Sequence, residues 1–440
     1  MEHSTNHVRL PAVAHLAQLI QIRIGGMALP VFFALTLVTA LAIITKRLPN
    51  DMIGGIGVLM LSGMLLGEIG GRIPFFRDIG GPAILCLFLP SALLAYGVMD
   101  SVTLNAITTT MKTANLQYLY IACLVAGSML GMERKILIDG FLKMFVPLLV
   151  GTLAAVVAGS LAGLLFGYDP EHTFFFIVMP ILGGGIGEGI LPLSIAYADI
   201  MSTSQAHLVA TMVPAALIGN VVAILISGVL KRFGERHPAY SGEGTLVRTG
   251  EDQLLLNNRN PDTAIDLRLM GAGLLLGCSL FTLGALLAPL TGIPGPVLMI
   301  IAAALLKVLR ILPASLEAGA SQMYKFMSTN LTFAILVGLG TLFVSWDKLI
   351  AAFSLAYFVI CVVTVLAMVM SGFFVGKWLN MYPVEAAIVT ACHSGLGGTG
   401  DVAILSSSNR MELMPFAQIS TRIGGAVMVV IATLLMKWLH

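Results

Sequence analysis

Again and again along this chain, apolar residues run on for the length of a membrane-crossing helix with almost no charge among them. Backbone N–H and C=O groups in hydrocarbon must be satisfied internally, so such runs fold only as packed helices or a closed barrel. Their length, about twice that of a barrel strand, selects helices. Candidate spans fall near 27–45, 52–70, 80–98, 117–132, 143–166, 207–230, 269–290, 296–312, 330–346, 349–376 and 415–436. Asp, Glu, Lys and Arg supply only 10% of the residues, against about a quarter in a soluble protein, so a soluble enzyme does not fit. With 24 Lys+Arg against 22 Asp+Glu, no charge excess points to nucleic acid as a partner. Cys86, Cys123, Cys278, Cys361 and Cys392 are scattered and mostly within apolar runs, which fits neither a disulfide framework nor a metal knot. The segment before the first run lacks the features of a removable signal, so the chain is expected to begin near Met1.

Two further apolar stretches, 173–195 and 383–408, are broken by glycine clusters and are expected to be re-entrant rather than spanning. The longest polar segment, 231–268, carries Lys231, Arg232, Arg236, Arg248, Arg259 and Arg268, which places it in the cytoplasm. Six spans precede it, so the N-terminal segment 1–26 is expected inside as well.

The chain also resembles itself at a nearly constant offset. Ile79-Gly80-Gly81-Pro82 returns as Ile293-Pro294-Gly295-Pro296, Asn115-Leu116 as Asn330-Leu331, and Phe141 as Phe353. Gly184-Gly185-Ile186-Gly187-Glu188 returns as Gly397-Gly398-Thr399-Gly400-Asp401. Residues 52–230 and 269–440 then each hold five spans and one broken segment. An odd number of crossings turns the second half upside down, and 27–45 is an extra helix. Such inverted repeats with discontinuous segments mark secondary transporters, although a duplication kept only for packing leaves the same trace. The fold class is therefore an all-α polytopic membrane protein of about eleven spans, two re-entrant hairpins and two inverted repeats.

Glycines at 183, 184, 185, 187 and 189 exclude a regular helix at that depth, and free backbone there must line a wet cavity or be buried. Half-helix N-termini favour a carboxylate and half-helix C-termini a cation, which suits an organic anion travelling with Na⁺ or H⁺. Glu188 and Asp401, each following the last glycine of its turn, are candidates for cation coupling; ordering the glycine loop is the other reading. Arg422, inside the last apolar run, offers a planar fork for a carboxylate, or alternatively a structural salt bridge to Asp401 or Glu188. Thr399 and Thr421 are the best hydroxyl ligands for a hard cation such as Na⁺. His393 precedes the second turn and either titrates or serves as a hydrogen-bonded core residue. Asn220 stands within the sixth span, and Gly159, Gly163 and Gly167 form a close-packing stripe. No Walker lysine follows either glycine turn and no HExxH or GxSxG occurs, so an ATP-driven pump or a hydrolase has no motif here. A cation/proton antiporter and, more remotely, a membrane enzyme using Asp401, Glu188 and His393 remain alternatives.

At these residues the chain resembles the 2-hydroxycarboxylate transporter family of bacterial citrate and malate symporters. The resemblance runs through Ile79-Gly80-Gly81-Pro82, the first glycine turn to Ser194, Ser241-Gly242-Glu243-Gly244 and, most specifically, His393 to Ala426 with its Asn409-Arg410 pair. It implies a homodimer in the bacterial cytoplasmic membrane and symport of a di- or tricarboxylate with Na⁺ or H⁺, with no cofactor. Carried over by position, it places substrate contacts on Ile186, Gly187, Gly398, Thr399 and Arg422, and cation contacts on His393, Gly395, Thr399 and Thr421. The citrate-specific group has Asn where this chain has Ile186 and a second Arg where it has Leu396. Losing that guanidinium is expected to favour dicarboxylates such as malate over citrate. Glu188 replaces a small residue of that group, and the extra acid leaves H⁺ open beside Na⁺.

Overall fold

The computed structural model describes residues 23–74, 81–131, 134, 141–248, 265–291, 293, 295–343, 346–347 and 354–440. A minimal hairpin, β1 (Arg23–Ile24) and β2 (Met27–Ala28), leads into α1 (Leu29–Ile44), with proline in its first turn. There follow α2 (Met52–Arg72), α3 (Gly81–Ala95), α4 (Ser101–Thr108, extended by a π-turn, Thr109–Thr113), α5 (Leu116–Gly131) and α6 (Phe141–Leu165). The first hairpin comprises α7 (Pro170–Leu182), a glycine turn, a π-turn (Ile186–Ile190) and α8 (Leu191–Met201). After α9 (Gln205–Arg236) come α10 (Leu267–Thr291), α11 (Gly295–Val308), α12 (Ala314–Leu342) and α13 (Leu355–Trp378). The second hairpin pairs α14 (Pro383–Ala391) with α15 (Gly398–Ser408), and α16 closes the chain as Met414–Gln418, a π-turn (Ile419–Gly424) and Gly425–Leu439.

Among the described residues, each of the eleven expected spans falls on a helix, and seven helices are individually long and apolar enough to cross a bilayer. Capping explains where several begin. Asp51, Asp100, Asp169, Ser204 and Ser354 accept from the orphan N–H groups of α2, α4, α7, α9 and α13, polar residues placed just ahead of an apolar run. One face of α6, with Phe145, Leu149, Leu153, Val157 and Leu161 exposed, has the lipid-facing character that such a fold requires. The chain is an all-α polytopic membrane protein.

Two boundaries differ from expectation. The span placed at 330–346 begins at Ala314, because the polar run Ser321–Asn330 continues the helix and carries side chains that line a cavity. Ahead of α5, α4 forms an additional helix, bent 47° from it at a joint where Asn115 takes a left-handed φ of 52°. The motif residues 75–80, Phe353 and Arg259 lie outside the described residues.

The helices sort into two bodies. In one, α12 packs against α2, α3, α5 and α10, with α11 against α5 and α10. In the other, α13 packs along α6, α9 against α15 and α13, and α8 against α16. Close glycine contacts repeat within this plan. Gly63 backs onto Ala334 and Gly277 onto Ala122; Gly159 faces Val178 and Gly372 faces Thr390; Gly163 faces Thr173 and Gly376 faces Ala386. In each couple the first contact maps onto the second by nearly the offset that relates the two glycine turns, so the internal resemblance extends from sequence to packing.

After α9 the chain folds back as a strap, 241–248, over the second hairpin. Leu246 O accepts from Tyr382 N at 2.9 Å, and Val247 bridges Met381. The fully buried Glu385 on α14 accepts from Ser241 Oγ at 3.1 Å, from Gly242 N at 2.8 Å and from Arg410 Nε at 3.1 Å. Arg410, at the far end of α15, also donates to Ser241 Oγ at 3.1 Å. One ion pair thereby joins both arms of the hairpin to the strap.

Candidate functional site

The two glycine turns meet. A Cβ on Gly184 would strike the Thr421 carbonyl and one on Gly185 the backbone of Gly397, and both residues hold positive φ, 77° and 114°. Only glycine satisfies the space and the conformation there. Asn220 on α9 anchors the second turn, its Oδ1 accepting from Leu396 N at 3.1 Å. The turns and the start of α15 open on a cavity of about 410 Å³ that lies between the two bodies. Tyr120, Leu124, Tyr324, Ser328 and Thr332 line it from one side; Ile186, Gly187, Glu188, Leu396, Gly397 and Gly398 line it from the other. Tyr120 and Thr332 hydrogen-bond to each other along that first side at 2.7 Å. Gly398, the first residue of α15, lies in the cavity wall, so the helix N-terminus borders this space, a setting for a carboxylate.

Arg422 sits on the π-turn of α16, a widened turn that displaces it from the regular helical register. Its Nη2 donates to Tyr324 Oη at 2.9 Å and its guanidinium lies 4.6 Å from that ring's centre. The Glu188 carboxylate stands beside this Tyr324–Arg422 pair. Among the described residues Arg422 forms no ion pair with Asp401 or Glu188; Tyr324 takes the guanidinium's hydrogen bond in place of the salt bridge that the sequence left open. Its Nε is buried without a partner, a donor available to a ligand.

Behind the cavity lies an oxygen cluster. Asp401, fully buried, accepts through Oδ1 from Thr421 Oγ1, while its Oδ2 has no partner. Thr421 Oγ1 also stands 3.1 Å from Cys392 O and 2.9 Å from Ala417 O. Gly395 packs against both Cys392 O and Asp401 Oδ1, and a side chain there would intrude on the cluster. A carboxylate, a hydroxyl and carbonyls converging in this way suit a hard cation.

Of the residues expected from sequence, Ile186, Gly187, Glu188 and Gly398 line the cavity, while Gly395, Asp401 and Thr421 form the oxygen cluster. Glu188 stands with Tyr324 and Arg422 rather than in that cluster. His393 is also apart from it: its Nδ1 donates to Ser420 O at 2.8 Å and its ring presses on Gly424, bracing the π-turn that carries Arg422. Thr399 belongs to α15, but its side chain lies outside the described residues. Sequence reasoning missed Tyr120 and Tyr324. Tyr120 falls in an apolar run, and Tyr324 in a polar one that reads as a loop; a helical period continued upstream from 330 would have exposed it.

A family model described as the 2-hydroxycarboxylate transporter family matches residues 24–434. The chain is 53% identical to the Na(+)-malate symporter of Bacillus subtilis over 94% of its own length and 93% of that protein's. It is 42% identical to the citrate/malate-proton symporter of the same organism, covering 96% and 94% of the two chains. Against the citrate/sodium symporter of Salmonella typhimurium the identity is 31%, with 95% of each chain covered. Agreement over nearly the whole length, through both glycine turns and α16, makes this chain a member of the 2-hydroxycarboxylate transporter family.

Proposed function

We propose that this protein is a secondary symporter that carries malate, and citrate less well, together with Na⁺ by alternating access. The observation that carries the reading is the pairing of a guanidinium and the N-terminus of α15 beside one cavity with an unsatisfied carboxylate oxygen in the cluster behind it. One set holds an anion, the other a cation, and they share α15 and α16, so each ligand lowers the field the other must enter. Ile186, Gly187, Gly398, Thr399 and Arg422 would receive the substrate. Asp401, Thr421, Gly395 and the Cys392 carbonyl would hold the cation. Leu396, apolar at the cavity wall, supplies no second positive charge, which favours a dicarboxylate. The names of the two Bacillus relatives, one Na⁺-coupled and one proton-coupled, agree with malate in both cases.

The recurring glycine contacts support two halves of opposite orientation, which gives a cavity between two bodies a route to either membrane face. The same reading has the N-terminus in the cytoplasm, 231–268 as a cytoplasmic linker, and a homodimer in the bacterial cytoplasmic membrane. The test is uptake of labelled malate into proteoliposomes with Na⁺ and pH gradients imposed separately. Uptake should follow the Na⁺ gradient and be lost in Arg422→Ala and Asp401→Asn with the protein still folded. Uptake driven by the pH gradient without Na⁺ would reassign the cation as H⁺; normal transport by Arg422→Ala would remove the site assignment.

A further inference from the structure

Arg422 is not itself among the side chains that line the cavity; Tyr324 and Glu188, which do line it, stand against it. Tyr324 belongs to one body and Arg422 and Glu188 to the other, so the Arg422–Tyr324 hydrogen bond, with Glu188 beside it, closes the site across the boundary between them. Glu188 is also the one acidic side chain at the cavity wall among the described residues. The charged or titratable groups that face it are Arg422, Tyr324, Tyr120 and, more distantly, Asp401.

We propose that Glu188 is the residue that limits the number of carboxylates on the substrate, acting as a tethered anion that one substrate carboxylate must displace from the Tyr324–Arg422 pair. This rests on the symport reading above. A dicarboxylate places one group on Arg422 and the other at the N–H groups of the glycine tips. Glu188 then remains as a negative charge in a space whose walls include the apolar Leu124, Ile186, Leu336 and Leu396 and no cationic side chain among the described residues. A third carboxylate meets that charge with no cation to offset it, and like charges a few ångströms apart in a partly dry site repel strongly.

The experiment is competition of labelled malate uptake by citrate at pH 7, in proteoliposomes holding the full chain as wild type, Glu188→Gln or Glu188→Asp. In Glu188→Gln the malate-to-citrate preference should fall at least tenfold, since one like charge about 12 Å away at an effective dielectric near ~20 already carries that factor and a closer one carries more. Glu188→Asp keeps the charge and should keep the wild-type preference. An unchanged ratio in Glu188→Gln, or a ratio in Glu188→Asp that drops as far as in Glu188→Gln, would overturn the proposal. If Glu188→Gln binds but does not transport, protection of its thermal unfolding by citrate relative to malate reads the same ratio. Absence of malate uptake by the wild type would instead refute the symport reading on which this one stands.

Discussion

Removing Arg410 should destabilise this protein more than neutralising its partner, and the geometry says why. Glu385 is wholly buried and holds three donors besides the arginine, Ser241 Oγ, Gly242 N and, at 3.5 Å, Gly244 N. Arg410→Ala leaves that carboxylate buried without its countercharge and strips a donor from Ser241, so the loss should be about 3–5 kcal/mol, as for other broken buried pairs. Glu385→Gln keeps the shape and an acceptor for the strap, and should lose only about 1–3 kcal/mol, the range for a compromised buried hydrogen bond. In the double variant neither charge is stranded, so the combined loss should fall short of the sum by about 1–3 kcal/mol, the coupling expected of residues in one network. Unfolding in detergent followed by size-exclusion fluorescence gives the ranking, and trypsin cleavage at Arg248 on the strap reports whether the strap has come away. That arginine is held by a hydrogen bond from Nη2 to Ala239 O at 2.8 Å and lies over the Tyr382 ring. Strict additivity of the two variants, or an Arg410→Ala protein that melts with the wild type and resists trypsin equally, would refute the reasoning.

Thr421→Val removes the hydroxyl that joins Asp401 to the Cys392 carbonyl while keeping volume; half-saturation by Na⁺ in malate uptake should rise on the order of tenfold, a loss of about 1.4 kcal/mol. An unaltered Na⁺ dependence would take Thr421 out of the cation site. Gly163→Val and Gly376→Val place the same bulk at corresponding contacts, against Thr173 and Ala386, and overpacking of about 1–3 kcal/mol should lower stability by similar amounts in both. A large difference between them, measured as unfolding midpoints, would contradict the equivalence of the two halves.

Much of this architecture is legible in the residues themselves. Charge-free runs announce the spans because a bilayer admits little else, and glycine clusters announce the hairpins because a helix cannot pass through them. The offset between repeated motifs reappears in contacts such as Gly63 with Ala334 and Gly277 with Ala122, which no motif search includes. Hydropathy fails where polar side chains face water inside the protein instead of outside it. Tyr324, Ser328 and Thr332 occupy one helix yet weigh in a window like a loop, so α12 begins well before the apolar signal does. The π-turn at Ile419–Gly424 is invisible for another reason: it is imposed by packing on His393 and the first glycine turn, not by the propensities of its own residues. The role of the Asn409-Arg410 pair likewise emerges only once Glu385 and Ser241 are brought to it by the fold.

The oxygen cluster draws Cys392, Asp401 and Thr421 from a single body, whereas the neighbouring cavity takes its walls from both. Under the symport proposal, a positive ion lodged there would keep its ligands unchanged if that body moves as a unit, while an anion in the cavity would exchange the half of its surroundings that the other body supplies. Selectivity for the ion would then be insulated from the cycle, and discrimination among organic acids could drift through the wall that the other body contributes without disturbing the ion's seat.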